Sequence, residues 1–180
     1  MSERNAELAY TGGGRYAATD EWYTPDWLPA CLGPWDLDPC AGPKSHAAVN
    51  IRRPACGLSA PWTRAERVWL NPPYSDLDRW LGRLAEHGNG IALVPARAET
   101  KWFQIYASRA DALLLLQGRI RFESPRSIGA PPIGSALLAF GARNVAALAA
   151  AVDRDALRGV LLRGSGEIRV SAGPLFEAAS

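Results

Sequence analysis

Apolar residues gather in short runs at 35–37, 68–70, 91–94, 112–116 and 135–140, each bounded by Pro, Gly or polar turn residues. Runs of this length predict buried strands. Between them the apolar spacing becomes helical. Leu77, Trp80, Leu81 and Leu84 share one face of a helix predicted over 75–87, and Gly88 supplies its stop. Ser75 and Asp78 stand at capping-box spacing at its start, with Asp in place of the usual Glu or Gln. A short helix is expected over 25–31, opening with Thr24 as N-cap and Pro25 in the first position. Further helical patterns cover 98–108 and 144–162, the latter as one helix or two. Strands alternating with helices predict an α/β fold with a compact, mostly parallel sheet.

In such sheets ligands bind beyond the carboxyl ends of the strands. Three loops fall there: "DPCAG" after the first run, "NPPYS" after the second and "PARAETKW" after the third. The functional site is expected among them.

Composition narrows the class. The 180 residues are 48% hydrophobic and 21% charged, which fits one globular domain with a sizeable core. No apolar run is long enough to span a bilayer, and residues 1–18, with three glycines at 12–14, read as a flexible polar arm without the apolar core of a signal peptide. Cys31, Cys40 and Cys56 form no C-x-x-C pair, so a reducing cytoplasm is the default, and His46 and His87 stand far apart. Neither a metal site nor a Ser/His/Asp triad is expected.

The net charge is only +2, but its distribution is uneven. From 39 to 65 there is no Asp or Glu, while Lys44, Arg52, Arg53 and Arg64 fall in that window; Arg119, Arg121 and Arg126 form a second cluster diluted by Glu123. These stretches are either a phosphate-facing surface or solvated arginine.

"NPPY" suits a particular chemistry. An exocyclic amine on a nucleobase is a poor nucleophile, because its lone pair is delocalised into the ring. Two acceptors aimed at its N–H bonds favour a localised lone pair as positive charge develops. Asn71 can offer a side-chain oxygen and Pro72 a backbone carbonyl. Pro72 and Pro73 restrict the backbone, so these acceptors are held at little entropic cost. Tyr74 offers a flat face on which an extruded base could stack. The alternative is that the prolines end a strand and Tyr74 packs on the next helix. In "WDLDPCAG", Asp38 can accept from a ligand ammonium group and Gly42 permits close backbone approach, although Asp38 could equally cap a turn. In "DEWYTPDWL", Thr24 either holds a carboxylate or is a plain N-cap, and Trp22, Tyr23 and Trp27 either wall a pocket or join the core.

Taken together, "DEWYTPDWL" at 20–28, "DLDPCAG" at 36–42, "CGLSAPW" at 56–62 and "VWLNPPYS" at 68–75 resemble the phage-type DNA N6-adenine methyltransferase (Dam-like) family. "LVPARAETKWF" at 93–103, "GRIRF" at 118–122 and "PPIGSALLAF" at 131–140 extend the resemblance over most of 20–140. The resemblance implies a class I (Rossmann-like) methyltransferase fold with a C-terminal antiparallel hairpin. It places one methyltransferase domain at 19–163 and leaves 164–180 unassigned. It implies S-adenosylmethionine as donor, held by Thr24, Pro25, Asp38, Pro39, Cys40, Ala41 and Asn71. It also implies catalysis by Asn71, Pro72, Pro73 and Tyr74 around the target adenine. Arg97, Thr100 and Trp102 would line the rim with Phe103, although Trp102 and Phe103 could equally be helix core. Arg119 and Arg121 would meet the DNA backbone. The expected setting is the cytoplasm, that of the host if the chain is phage-encoded, with a possible place in restriction-modification.

Two departures from the pattern stand out. The acid-free window holds no carboxylate for the donor's ribose, which leaves Asn50 as a candidate, and there is no insertion long enough for a separate target-recognition domain. The alternatives are a methyltransferase for another planar amine (cytosine N4, RNA adenine or protein glutamine) and a DNA-binding relative without turnover. Asn71 in the first motif position favours adenine or glutamine over cytosine.

Overall fold

A computed structural model describes residues 22–53, 55–64, 66–123, 128–129, 133–164 and 168–171. The predicted arm at 1–18 and Arg126 lie outside the described residues. In chain order the elements are α1 (Trp27–Ala30), β1 (Leu37–Asp38), β2 (Val49–Asn50), β3 (Val68–Leu70), α2 (Leu77–His87) and β4 (Gly90–Pro95). There follow α3 (Lys101–Arg109), β5 (Ala112–Leu116), β6 (Phe122–Glu123), β7 (Ile128–Gly129), β8 (Ser135–Phe140), α4 (Ala142–Asp153), β9 (Gly159–Arg163) and β10 (Ile168–Ser171). A turn of 3₁₀ helix at Tyr74–Asp76 leads into α2.

Among the described residues one eight-stranded sheet runs β10-β9-β5-β8-β4-β3-β1-β2, with β6 and β7 paired apart from it. β2, β1, β3 and β4 are parallel neighbours. From β4 onward every pairing is antiparallel, because β8 inserts reversed between β4 and β5, and β9 and β10 continue the alternation. The expectation of a mostly parallel sheet is therefore corrected to a mixed sheet whose second half is antiparallel. The physical reason is that β8, "SALLAF", is buried at all six positions. A strand covered on both faces shows no alternation from which to read its direction.

Alternation along the central strands divides the core into two layers. Trp69, Ile91, Leu93, Leu137 and Ala139 face one side, against Leu28 and Leu32 around α1 and Leu148 and Val152 of α4. Val68, Leu70, Ala92, Val94, Ala136 and Leu138 face the other, against Leu77, Trp80, Leu81 and Leu84 of α2 and Phe103 and Tyr106 of α3. The α2 stripe is thus core, and Gly88 ends the helix in the left-handed region at φ 74°. The capping box does not form as expected, since the N-cap is Asp76 and makes no side-chain cap bond. Asp78 instead accepts from the Tyr106 hydroxyl at 3.1 Å, tying α2 to α3. The first helix also starts later than expected, at Trp27 behind Asp26. The helical reading of 144–162 fails in its second half, where residues 159–163 form β9. Among the described residues no helix is long and apolar enough to cross a membrane.

At the amino ends of the strands, Arg67 is only 2% exposed. Its Nε donates to Asn144 Oδ1 at 2.6 Å and its Nη1 to the Pro34 carbonyl at 2.9 Å, while its guanidinium lies 4.0 Å from the Trp35 ring centre. Burial, with Arg143 nearby, lowers its pKa to about 10. Asn144 in turn donates to Asn89 Oδ1 at 3.0 Å and the Phe140 carbonyl at 2.7 Å. Removing one partner leaves a buried charge poorly compensated. Asn144→Leu is expected to destabilise the fold by about 3–5 kcal/mol in urea unfolding. An unchanged midpoint would mean the network contributes nothing.

Candidate active site

Beyond the carboxyl ends of β1 and β3 the sheet opens into a cavity of about 770 Å³. That volume suits a cofactor-sized ligand. Its lining includes Thr24, Asp38, Pro39, Cys40, Ala41, Asn71 and Pro73, so the "TP", "DPCAG" and "NPPY" loops meet there. Pro25, Pro72, Tyr74, Arg97, Thr100, Trp102, Arg119 and Arg121 are not part of that lining.

Asp38 ends β1 at 5% exposure. Its Oδ1 accepts from the Cys40 amide at 3.0 Å and its Oδ2 from the Ser45 hydroxyl at 2.6 Å. Desolvation by burial dominates over these bonds and over Arg52, raising the pKa from 3.8 to about 6. A buried carboxylate with so little compensation favours a cationic ligand. Ser45 carries no signal in the sequence, since it lies seven residues on, in a loop without periodicity. Burial also pushes the Cys40 thiol up, which makes that thiol a poor nucleophile.

The turn after β1 is shaped by two glycines. A Cβ on Gly42 would come within 2.8 Å of the Tyr23 ring, and one on Gly57 would overlap the Pro39 carbonyl. The "CGLSAPW" loop therefore seats directly against the "DPC" turn. It is anchored from behind by Arg83 of α2, which donates to the Leu58 and Ala60 carbonyls and stacks over Trp62. Asn50 pairs in register beside Asp38 and donates to the Ala47 carbonyl at 2.7 Å. Its buried Oδ1 has no partner among the described residues, but Asn50 itself does not line the cavity.

Also in the lining, Asn71 donates from Nδ2 to the Trp22 carbonyl at 3.0 Å. That bond fixes the amide plane and leaves Oδ1 as its accepting end. Pro72 is buried and Pro73, in extended backbone, leads into the 3₁₀ turn. Tyr74 packs against the α2–α3 layer, and burial pushes its hydroxyl pKa up. Trp22 and Tyr23 wall the cavity, whereas Trp27 is 52% exposed outside it.

The remaining candidates do not line this cavity. Arg97 is exposed and pairs with Glu99 at 3.3 Å, and Thr100 Oγ1 donates to the Arg97 carbonyl at 2.7 Å. Phe103 is core, and Trp102 packs edge-on against it at 5.6 Å. Arg119 and Arg121 are exposed. From the acid-free window, Lys44, Arg52 and Arg53 reach the cavity lining.

If Tyr74 serves as a stacking face, the ring matters and the hydroxyl does not. Tyr74→Phe is expected to keep activity near wild type, and Tyr74→Ala to lose about 10- to 100-fold. A Phe variant as impaired as the Ala variant would contradict this.

Fold and site together define an α/β protein with a cavity at the carboxyl edge of its parallel strands, lined by the buried Asp38 carboxylate. The family model for "DNA N-6-adenine-methyltransferase (Dam)" matches residues 14–136, and the chain belongs to that family. The DNA N-6-adenine-methyltransferase of Escherichia phage T1 is 35% identical over 111 residues, covering 56% of this chain and 46% of the phage protein. The chain thus spans less than half the length of that curated relative. No solved structure matches it.

Proposed function

We propose that this chain transfers a methyl group from S-adenosylmethionine to the N6 amine of adenine in DNA, with the base extruded into the NPPY pocket. One observation carries the reading: the buried Asp38 carboxylate and the fixed Asn71 amide open onto the same cavity. Family membership supplies the reaction class.

The cavity residues fit such a donor. Asp38 is a desolvated anion suited to its ammonium group, and Gly42 and Gly57 keep the turn around it tightly packed. Thr24 and the Pro39–Ala41 turn would complete that end. When bound, the donor supplies an electrophilic methyl group on a sulfonium.

The chain's own residues prepare the nucleophile. Asn71 Oδ1 and the Pro72 carbonyl accept the two N–H bonds of the adenine amine and stabilise the positive charge that grows on nitrogen. Tyr74 would have to present its ring to the base, and Pro73 holds the turn. The nitrogen becomes strongly acidic on methylation, so its proton passes to water without a dedicated base. Arg97, Thr100 and Trp102 would form the rim, and Arg119 and Arg121 would contact the phosphate backbone.

The parallel strands around β1 support a class I (Rossmann-like) methyltransferase fold in one unit over 19–163. Free thiols at Cys31, Cys40 and Cys56 suit a reducing cytoplasm. The test is incubation with methyl-labelled S-adenosylmethionine and duplexes with or without adenine. Label confined to adenine-containing duplex is expected. Equal labelling of adenine-free duplex would overturn the adenine assignment, and donor binding without transfer to any DNA or RNA would indicate a non-catalytic relative.

A further inference from the structure

Among the described residues that line the cavity, Asp38 is the one carboxylate, against the cations Lys44, Arg52 and Arg53. Asp38 accounts for a ligand with an ammonium group and leaves the positive side of the lining without a role. A lining with this excess of positive charge favours a ligand that carries an anionic group as well.

Arg52 is fixed beside Asp38 by the backbone. The Ile51 amide donates to the Asp38 carbonyl at 2.9 Å, and the Ile51 carbonyl accepts from the Ala41 amide at 3.0 Å. The chain leaving β2 is thus laced to both ends of the "DPC" turn. The Arg52 side chain reaches back to that turn, where its Nε donates to the Gly42 carbonyl at 3.2 Å. No other hydrogen bond engages the guanidinium among the described residues, and the residue is exposed, so its terminal nitrogens stay open to a ligand. Its charge is also felt at Asp38: burial raises the pKa of that carboxyl, and Arg52 is among the groups that oppose the rise. A buried carboxylate and an accessible guanidinium therefore lie together beside one turn of the cavity wall.

We infer that Arg52 is a donor-binding residue whose guanidinium takes the carboxylate of the methyl donor while Asp38 takes its ammonium group. The inference rests on the methyltransferase reading, under which the donor ends in an amino acid with both groups on one carbon. The planar fork of an arginine suits a carboxylate, which it can meet in two parallel N–H···O bonds. Thr24, in the same lining, offers a neutral hydroxyl, which supplies a hydrogen bond but no charge. An amine without a carboxylate leaves Arg52 unmatched, and a carboxylate without an amine leaves Asp38 unmatched. The pair thereby selects a zwitterionic amino-acid end.

The test is titration calorimetry with S-adenosylhomocysteine and with its decarboxylated analogue, which keeps the amine and lacks the carboxylate. Each is titrated into wild-type protein, Arg52→Gln and Arg52→Lys. Arg52→Gln should weaken S-adenosylhomocysteine binding about five- to tenfold, a modest factor because the guanidinium is exposed. Removing the carboxylate should lower the affinity of wild type by the same factor and that of Arg52→Gln by nothing further. Arg52→Lys, which keeps the charge without the fork, should fall between the two. Equal weakening of both ligands by Arg52→Gln would overturn the inference, since Arg52 would then act only by bracing the turn at Gly42. Unchanged S-adenosylhomocysteine affinity in Arg52→Gln would overturn it too, and weaker duplex binding by that variant would assign the guanidinium to a DNA phosphate instead. Either result leaves the methyltransferase reading intact, whereas no S-adenosylhomocysteine binding to wild-type protein would bring down both.

Discussion

Asn71→Ala is expected to lower turnover about 10²- to 10³-fold while donor affinity changes by less than about threefold. The separation follows from where charge appears. The adenine amine is neutral in the ground state and becomes ammonium-like as the methyl group arrives, so an acceptor aimed at its N–H bonds acts chiefly in the transition state. Asn71 is suited to this because its own NH₂ is occupied by the Trp22 carbonyl at 3.0 Å, which prevents the amide from turning its donor end toward the base. The comparison with Asn71→Asp is informative. Asp keeps the acceptor but loses the donor that Trp22 holds, so it should retain more turnover than Ala and less than wild type. Equal losses in donor affinity and turnover for Asn71→Ala would mean that the loop is only structural.

The second large effect concerns Asp38. Asp38→Asn should reduce affinity for S-adenosylmethionine about 10- to 100-fold, because under the proposed function it would remove a charge-assisted bond to the donor's ammonium group. It should also flatten the pH dependence of binding. With a pKa of about 6, Asp38 is about one-tenth ionised at pH 5 and about nine-tenths at pH 7. Wild-type affinity should therefore rise about tenfold over that interval, with proton release on binding, and the Asn variant should show neither.

Stability runs the other way. The folded pKa lies above the ordinary value of 3.8, so this group favours the empty fold most fully below about pH 4. That contribution is lost as pH rises through about 6. At pH 7 Asp38→Asn should be at least as stable as wild type in the absence of donor. A binding curve indifferent to pH between 5 and 7 would remove Asp38 from the donor site.

The elements that were legible in the sequence are those whose burial is uniform or periodic over several residues. Residues 68–70, 112–116 and 135–140 form strands at the expected positions, and Leu77, Trp80, Leu81 and Leu84 face the core as their spacing requires. Strand direction was not legible, since "ALLLL" and "SALLAF" would look the same in either orientation. Nor was β9. "GVLLR" follows an alanine-rich helix with apolar residues that extend a helical pattern, and only Gly159 interrupts it. A Cβ there would overlap the Leu115 carbonyl, a constraint visible only once β5 and β9 are paired.

The site divides in the same way. Thr24, Asp38 and Asn71 stand in loops that local motifs mark out, and they line one cavity. Their supports are long-range. The Trp22 carbonyl is 49 residues from Asn71, and the Arg67–Asn144 bond spans 77. Such pairings carry no local signature in a single chain. Among the motif residues, the Tyr74 ring packs toward α2 and α3 instead of lining the cavity. Use as a stacking platform requires the 3₁₀ turn at Tyr74–Asp76 to rearrange when a base enters.

The most direct measurement is nucleoside mass spectrometry of duplex DNA after incubation with the purified chain and S-adenosylmethionine, run beside the Asn71→Ala variant. The account predicts N6-methyl-2′-deoxyadenosine from the wild-type chain, with no methylated cytosine, and a signal lower by about 10²-fold or more from the variant. Methyl groups on cytosine N4, or equal adenine methylation by the two proteins, would contradict it.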